Sequence, residues 1–118
     1  MKNSFAEICI YQVKPTKVEE FEKLIKCVSE HYKSFKGVLN VKYFKRTHRQ
    51  KDFQSAKAGE PPVRLQRQGE TITYMLFWEL ENEKIHGEVT RSGLEKFYKE
   101  FNRCLTTMPK IILGTEIA

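Results

Sequence analysis

The chain has 118 residues and a formal net charge of +6 at pH 7, with 40% hydrophobic and 31% charged residues. This length suits one domain, and the composition excludes an intrinsically disordered chain. No apolar run approaches the ~18 residues that a membrane-spanning helix needs. The first dozen residues lack the apolar stretch and small-residue cleavage site of a signal peptide. We therefore expect a single domain over residues 1–118, located in the cytoplasm.

The cysteines and histidines show no pattern typical of a metal or redox site. No two cysteines form a CxxC pair, and the three histidines share no metal-ligand spacing. We expect reduced thiols with packing roles and no metal site. The motifs GxSxG, GxGxxG and GxxxxGK[ST], typical of serine hydrolases and nucleotide-binding proteins, do not occur in the sequence.

Residues 5–13 predict a first strand that is covered on both faces, because apolar side chains fall on both parities. The dipeptide Lys14-Pro15 ends this strand, since proline cannot donate a hydrogen bond to a neighbouring strand. Thr16, with Glu19 three residues later, forms a capping box and predicts the start of a helix.

That helix has one apolar face and is expected to run for ~19 residues. Apolar residues recur along it at steps of three and four: Val18, Phe21, Ile25, Val28, Tyr32 and Phe35. Gly37 is a natural C-terminal stop. His31 lies off the apolar face, so we expect it to be solvated.

Residues 38–46 predict a second strand, followed by a polar connection over 47–70 that is long for a hairpin. This connection is either mobile, or residues 63–65 within it add a short strand or fold over a site. Basic residues cluster near its start: Lys42, Lys45, Arg46, His48, Arg49 and Lys51. The cluster could meet an anionic partner or nucleic acid, or it could be a solvated hairpin tip.

Residues 71–80 predict a third strand, again apolar on both faces. Asn82 can cap a short helical turn that reaches residue 89. A second helix is expected to start at Ser92, where Ser92 and Glu95 repeat the capping-box spacing. Residues 110–117 predict the last strand.

The order βαβ occurs twice, which predicts an α+β, ferredoxin-like βαββαβ sandwich with an antiparallel sheet. Such a sheet carries both helices on one face. The first and third strands are apolar on the opposite face too, and an apolar patch of that size indicates an interface or a pocket. Pairing of two sheets into a dimeric α/β barrel would cover it, so we expect a homodimer.

Three segments of the sequence match motifs of a known protein superfamily. They are Val13-Lys14-Pro15 followed by Glu19-Glu20-Phe21, then Phe35-Lys36-Gly37-Val38-Leu39, and finally Phe77-Trp78-Glu79 followed by Ser92-Gly93-Leu94-Glu95-Lys96-Phe97. Together they span most of the domain and resemble the antibiotic biosynthesis monooxygenase (ABM) superfamily of dimeric α/β-barrel proteins. Thr16 stands where the family usually has glycine, and the insertion at about 47–70 departs from the compact family pattern.

The resemblance implies a homodimer with a cavity in each protomer, between sheet and helices. Several members oxidise aromatic polyketides or quinols with O2 and without metal or flavin, so no cofactor is expected. Other members degrade haem, using an Asn on the first strand, a Trp on the third strand and a His on the second helix. Trp78 matches that Trp, Glu7 lies near the Asn position, and His86 falls in an earlier segment than the His. Haem degradation therefore fits less well.

Trp78 is the best candidate for a substrate-binding residue, because a pocket-lining indole can stack on a planar substrate and donate one N–H. A core or interface tryptophan would look the same. Glu7 sits among apolar neighbours, and in a cavity it could act as a general base toward a phenol or quinol. It could equally form an ion pair or lie at a wet rim.

His86 lies near the expected cavity mouth and could carry a proton near neutral pH, or it could be an ordinary exposed histidine. Tyr11, Tyr43 and Tyr74 lie on three different strands and could converge on a ligand through their hydroxyls. Aromatic packing explains these tyrosines equally well.

Two functions follow. The first is a cofactor-independent, monooxygenase-like small-molecule enzyme acting on a planar aromatic substrate, in which Glu7 or His86 deprotonates the substrate so that it can pass an electron to O2. The second is a non-catalytic ligand-binding or interaction homodimer that uses residues 47–70 as its contact surface. RNA-recognition motifs share the βαββαβ order, but residues 71–80 lack their Lys/Arg-Gly start, so nucleic acid is not expected as a partner.

Overall fold

The computed structural model describes residues 3–66 and 69–118. The main elements follow the βαββαβ order, with short additions between the second and third long strands. In chain order they are β1 (Phe5–Val13), α1 (Val18–Lys33), β2 (Val38–Lys45), β3 (His48–Arg49), α2 (Phe53–Lys57), β4 (Val63–Arg64), β5 (Ile72–Leu80), α3 (Glu83–Cys104) and β6 (Lys110–Thr115).

The four long strands form an antiparallel sheet in the order β2-β5-β1-β6. The predicted α+β, ferredoxin-like fold is confirmed. The central pair is β1 and β5, and its register places Glu7 opposite Trp78. Trp78 in turn pairs with Val41 on β2, so these three side chains lie in one row on the same face.

Helices α1 and α3 pack on one face of the sheet and create the core. Alternate residues of β1 and β5 point toward the helices and are nearly inaccessible: Cys9, Tyr11, Val13, Ile72, Tyr74, Leu76, Trp78 and Leu80. The helices contribute Phe21, Val28 and Phe97 to the same cluster. Burial of this apolar surface is the main term that stabilises the fold.

The opposite face of the sheet is apolar and uncovered in the single chain. Ile8, Phe44, Met75 and Ile112 are 37–51% exposed there. This confirms that the first and third strands are apolar on both faces. A dimeric barrel that covers this face stays a prediction.

The start of α1 differs from the expected capping box. A 3-10 turn over Pro15–Lys17 comes first, and Lys17 occupies the N-cap without a side-chain hydrogen bond. Lys17 N donates to Lys14 O at 2.8 Å, which places Thr16 inside this turn rather than at the cap. The capping box at Thr16 is therefore wrong, and α1 spans 16 residues.

The predicted break before Ser92 is also wrong, because α3 is one helix of 22 residues. Asn82 caps it as expected, with its side chain accepting from Ile85 N at 2.9 Å. Ser92 lies inside the helix, and its Oγ is 2.8 Å from Nε2 of His31 on α1. His31 is consequently half-buried between the two helices, not solvated.

The long connection contains structure of its own. β3 and β4 form a two-stranded ribbon, so the alternative of a short extra strand near residues 63–65 is confirmed. Between them, Asp52 caps α2 by accepting from Ser55 N at 2.7 Å. Within the described residues, no helix is long and apolar enough to cross a bilayer.

Candidate active site

The structure brings the two candidate proton-carrying residues, Glu7 and His86, into contact. Glu7 points from β1 toward the helices and is 6% exposed. His86 lies one turn into α3, where the cap at Asn82 fixes the start of the helix. Glu7 Oε1 and His86 Nε2 are 2.5 Å apart. A carboxylate so placed orients the imidazole.

Trp78 lies directly beside this pair. Its indole is 1% exposed, and its ring centre is 5.1 Å from that of His86. Among the described residues, Trp78 Nε1 has no hydrogen-bond partner. An unsatisfied buried donor costs about 1–3 kcal/mol. The site therefore contains a donor that a water molecule or a ligand oxygen would satisfy.

Tyr32 lies on the apolar face of α1, and the sequence pattern predicted only a packing role for it. Its ring stacks on the indole of Trp78, with centres 4.3 Å apart and an angle of 15°. Tyr32 also lies against Gly93, where a Cβ would stand 2.7 Å from Tyr32 Cε1. Only glycine lets the two helices hold the tyrosine in this position. No pattern within either helix alone indicates this contact.

Tyr11 lies four residues from Glu7 along β1, and Tyr43 lies two residues from Val41 along β2. Their ring centres are 6.4 Å apart. Burial raises the pKa of both phenols well above the usual value, so both are neutral hydroxyl donors. In the described part of the chain, the Tyr43 hydroxyl has no hydrogen-bond partner.

Tyr74 makes a separate arrangement. Its hydroxyl donates to Glu22 Oε2 on α1 at 2.5 Å, and Lys45 Nζ lies 3.2 Å from the same oxygen. Burial, together with the Glu22 carboxylate, raises the pKa of Tyr74. The three candidate tyrosines thus divide into Tyr11 and Tyr43, whose rings lie near each other, and Tyr74, which is hydrogen-bonded to Glu22.

Two further residues complete the surroundings of His86. The ring of Phe5 meets it edge-on, with centres 5.3 Å apart. Thr90 follows His86 by one turn of α3, and among described residues its buried hydroxyl has no partner.

Cys9, the next helix-facing residue of β1 after Glu7, has a pKa raised to about 12 by burial. Its thiol is therefore protonated and unreactive near neutral pH.

A groove of about 530 Å3 opens between α1 and the edge strand β2. Tyr43 and Tyr74 form its inner wall, and Ile25, Val41 and Phe44 contribute apolar side chains. Tyr43 lines this groove and also carries a buried hydroxyl with no partner among the described residues. Neither Glu7, His86 nor Trp78 lines the groove.

Among the described residues, no three Cys, His, Asp or Glu side chains lie close enough together to hold a metal ion. The cysteines Cys9, Cys27 and Cys104 are free, and Cys9 and Cys104 are buried. The chemistry that the region can perform with its own side chains is proton transfer and hydrogen-bond donation.

No protein-family model matches the chain, and a search of curated proteins finds no match. Solved structures do match over nearly its full length. A conserved protein from Methanosarcina mazei Go1 has a TM-score of 0.67 at 18% identity, covering 96% of this chain and 92% of that one.

Two other solved structures carry a provisional name as antibiotic biosynthesis monooxygenases. The protein from Nitrosomonas europaea has a TM-score of 0.73 at 11% identity and covers 99% of this chain and 93% of its own. The protein from Bordetella bronchiseptica has a TM-score of 0.65 at 15% identity, with coverages of 98% and 99%. The TM-scores and coverages show a shared fold. At identities this low, a shared fold does not imply a shared reaction. The chain therefore shares its ferredoxin-like fold with these solved structures.

Proposed function

We propose that this protein is a cofactor-independent, monooxygenase-like enzyme acting on a planar, electron-rich aromatic substrate. One observation carries the proposal: a buried carboxylate–imidazole pair, Glu7 and His86, lies against a tryptophan whose N–H has no partner among the described residues. Buried pairs of this kind are suited to accept a proton from a bound substrate.

His86 acts as the general base, and Glu7 orients it. When Glu7 Oε1 accepts the Nε2 hydrogen, the imidazole is held in the tautomer whose Nδ1 carries the lone pair. Nδ1 then takes the substrate proton, and the carboxylate stabilises the resulting imidazolium. Glu7 is buried, so this interaction is screened less than a surface ion pair.

Deprotonation gives a carbanion or phenolate that can pass one electron to O2. The substrate radical and superoxide combine to a peroxide anion, which takes the proton back from His86. For an anthrone, loss of water from the hydroperoxide gives the quinone, so one O2 is consumed and one water is released. No external reductant enters this balance.

Trp78 and Tyr43 supply hydrogen-bond donors for the developing negative charge. Their Nε1–H and hydroxyl groups are buried, and within the described chain neither has a partner. A donor that is already positioned and shielded from water stabilises an oxyanion more than the same donor in solvent. The raised pKa of Tyr43 keeps its proton available.

Substrate access requires movement of a side chain, because the indole is 1% exposed and Tyr32 covers one of its faces. The groove between α1 and β2 provides the route. Tyr43 forms its inner wall while its hydroxyl lies on the buried side. A change of the Tyr43 rotamer would join the groove to the region of Trp78.

The proposal includes a homodimer formed through the open sheet face. Ile8, Phe44, Met75 and Ile112 are exposed on that face. Burial of such a patch is worth about 25 cal/mol for each Å2 removed from water. A second copy offers a matching apolar surface by symmetry.

The direct test is O2 consumption during aerobic incubation with a panel of anthrones and hydroxyquinols. We expect turnover by the wild type and a loss of about 100-fold or more in His86→Asn, because a general base contributes about 10²–10⁴ in rate. His48→Asn, which changes an exposed histidine of β3, is the matched control and should turn over normally. Unchanged turnover after His86→Asn would exclude the assigned role.

A second candidate, a non-catalytic ligand-binding or interaction homodimer, is favoured by the stacking of Tyr32 on Trp78. That contact fills the place beside the indole where a planar substrate would stack. This candidate predicts ligand or partner binding without turnover, with residues 47–70 as the contact surface. Deletion of residues 50–66 should then abolish partner binding while the dimer persists, and unchanged binding would reject it.

A further inference from the structure

The positive charge of the chain is concentrated in one segment. Residues 42–67 contain eight lysine and arginine residues and two acidic residues, which gives +6. The rest of the chain holds 13 residues of each sign and is neutral. The whole net charge therefore belongs to the end of β2 and the connection that follows it.

The ribbon of β3 and β4 gives this segment a defined shape. His48 pairs with Arg64 and Arg49 pairs with Val63. Leu65 N donates to Thr47 O at 2.9 Å, which extends the pairing by one step. A groove of about 580 Å3 lies along the ribbon, lined by Arg49, Lys51, Val63, Arg64, Leu65 and Gln66.

The cations of the groove are not neutralised within the described part of the chain. Arg49, Lys51 and Arg64 are exposed, and none of them forms an ion pair there. The nearby carboxylate of Asp52 is occupied as the cap of α2, and its hydrogen bonds to Ser55 hold its pKa below the usual value. Three like charges at one groove repel each other unless an anion is bound.

We infer that this groove binds a small ligand with two or more phosphate or carboxylate groups. Its volume lies within the range of small-molecule sites, about 300–1,000 Å3. Two of its cations are arginines, which can contact phosphate and carboxylate oxygens in pairs. Val63 and Leu65 add a half-buried apolar wall for the body of the ligand.

This site is separate from the region of Glu7. Lys45, the last residue of β2, pairs with Tyr74, and the ribbon begins beyond that end of the sheet. Trp78 lies four residues further along β5, which corresponds to about 13 Å at the rise of a strand. The groove can therefore bind an anion without contacting Glu7 or His86, and the inference does not depend on the proposed oxygenase.

Calorimetric titration of the full chain with pyrophosphate and with citrate, at low ionic strength, tests the inference. We expect saturable binding of one anion per chain by at least one of the two, and the preferred anion distinguishes a phosphate ligand from a carboxylate ligand. The double variant Arg49→Gln/Arg64→Gln should bind at least 10-fold more weakly. Arg49 and Arg64 are both exposed, so thermal unfolding should report an unchanged fold for this variant.

The matched control is Lys23→Gln/Lys84→Gln, which removes the same charge from α1 and α3. Its affinity should stay within twofold of the wild type. The inference is overturned if neither anion binds saturably, or if the control weakens binding as much as the arginine variant. Binding of a 20-nucleotide oligo-dT in the absence of pyrophosphate or citrate binding would also overturn it, in favour of nucleic acid.

Discussion

The two faces of the sheet use alternate residues of the same strands and differ in what covers them. On the helix face, Tyr74, Leu76 and Trp78 of β5 are almost inaccessible. On the open face, adjacent Met75 is 37% exposed and Ile8 is 41% exposed. Both faces are apolar, yet only one is completed by the chain itself. The difference teaches that a continuously apolar strand can complete one packed face within the protomer and leave a second apolar face uncovered.

The largest expected effect comes from truncating a buried side chain on the helix face of the sheet. Leu76→Ala should lower the free energy of unfolding by about 2–5 kcal/mol, because it leaves a cavity in the packed core. Met75→Ala, one residue away on the open face, is the matched control. In urea unfolding, Met75→Ala should lower the free energy of unfolding by less than half as much as Leu76→Ala does. Equal losses would mean that the two faces are equally packed.

The open face is tested by placing a charge on it. Ile8→Asp should raise the dissociation constant of the proposed homodimer by about 100-fold, which corresponds to about 2.7 kcal/mol. Analytical ultracentrifugation would measure it, with circular dichroism to confirm the fold. Lys99→Asp, on the exposed side of α3, is the control and should leave association unchanged. A wild type that stays monomeric at all concentrations would reject the role of this face.

Two glycines of α3, Gly93 and Gly87, test the packing of this helix against Tyr32. Gly93→Ala would place a methyl group 2.7 Å from Tyr32 and should cost about 1–3 kcal/mol, whereas Gly87 has open space around it. Gly87→Ala should instead stabilise the helix by about 0.5–1 kcal/mol. Trp78 is the sole tryptophan, so its fluorescence reports on the Tyr32 stack. Only Gly93→Ala should change that fluorescence, and an unchanged spectrum would contradict the contact.

The smallest expected effect concerns Glu22 at the edge of the helix face. Its hydrogen bond from Tyr74 holds its pKa below the usual value. A carboxyl group with a lowered pKa stabilises the fold above its unfolded pKa and loses this contribution as the pH falls. Glu22→Gln should therefore destabilise by less than about 1 kcal/mol at pH 7, since the side chain is 43% exposed, and by nothing measurable at pH 2. A loss that persists at pH 2 would assign the effect to packing.

Much of the fold could be read from the sequence, because strands that are apolar on both parities and a helix with one apolar face leave few arrangements. The errors arose where tertiary contacts outweighed local signals. Ser92 has the spacing of a capping box, but the helix that begins after Asn82 continues through it, and Ser92 contacts His31 instead. Local spacing cannot distinguish a cap from a residue in the middle of a helix.

The candidate site was predictable in part. The sequence pattern places Glu7 on the first strand and Trp78 on the third, and the structure has them on β1 and β5. Their contact with His86 depends on the register of α3 over the sheet. Tyr32 could not be assigned, because its position depends on Gly93 in another helix. Such contacts between helices are set by packing, which a single sequence does not reveal.

The most direct test of the central claim separates proton abstraction from the reaction with O2. Anaerobic mixing of the wild type with an anthrone should produce the absorbance of the anthrone anion, because Glu7 and His86 can take the proton while no oxidant is present. Glu7→Gln should give no such absorbance, while His48→Asn should behave as the wild type. The absence of the anion with the wild type, or an equal signal with Glu7→Gln, would contradict the account.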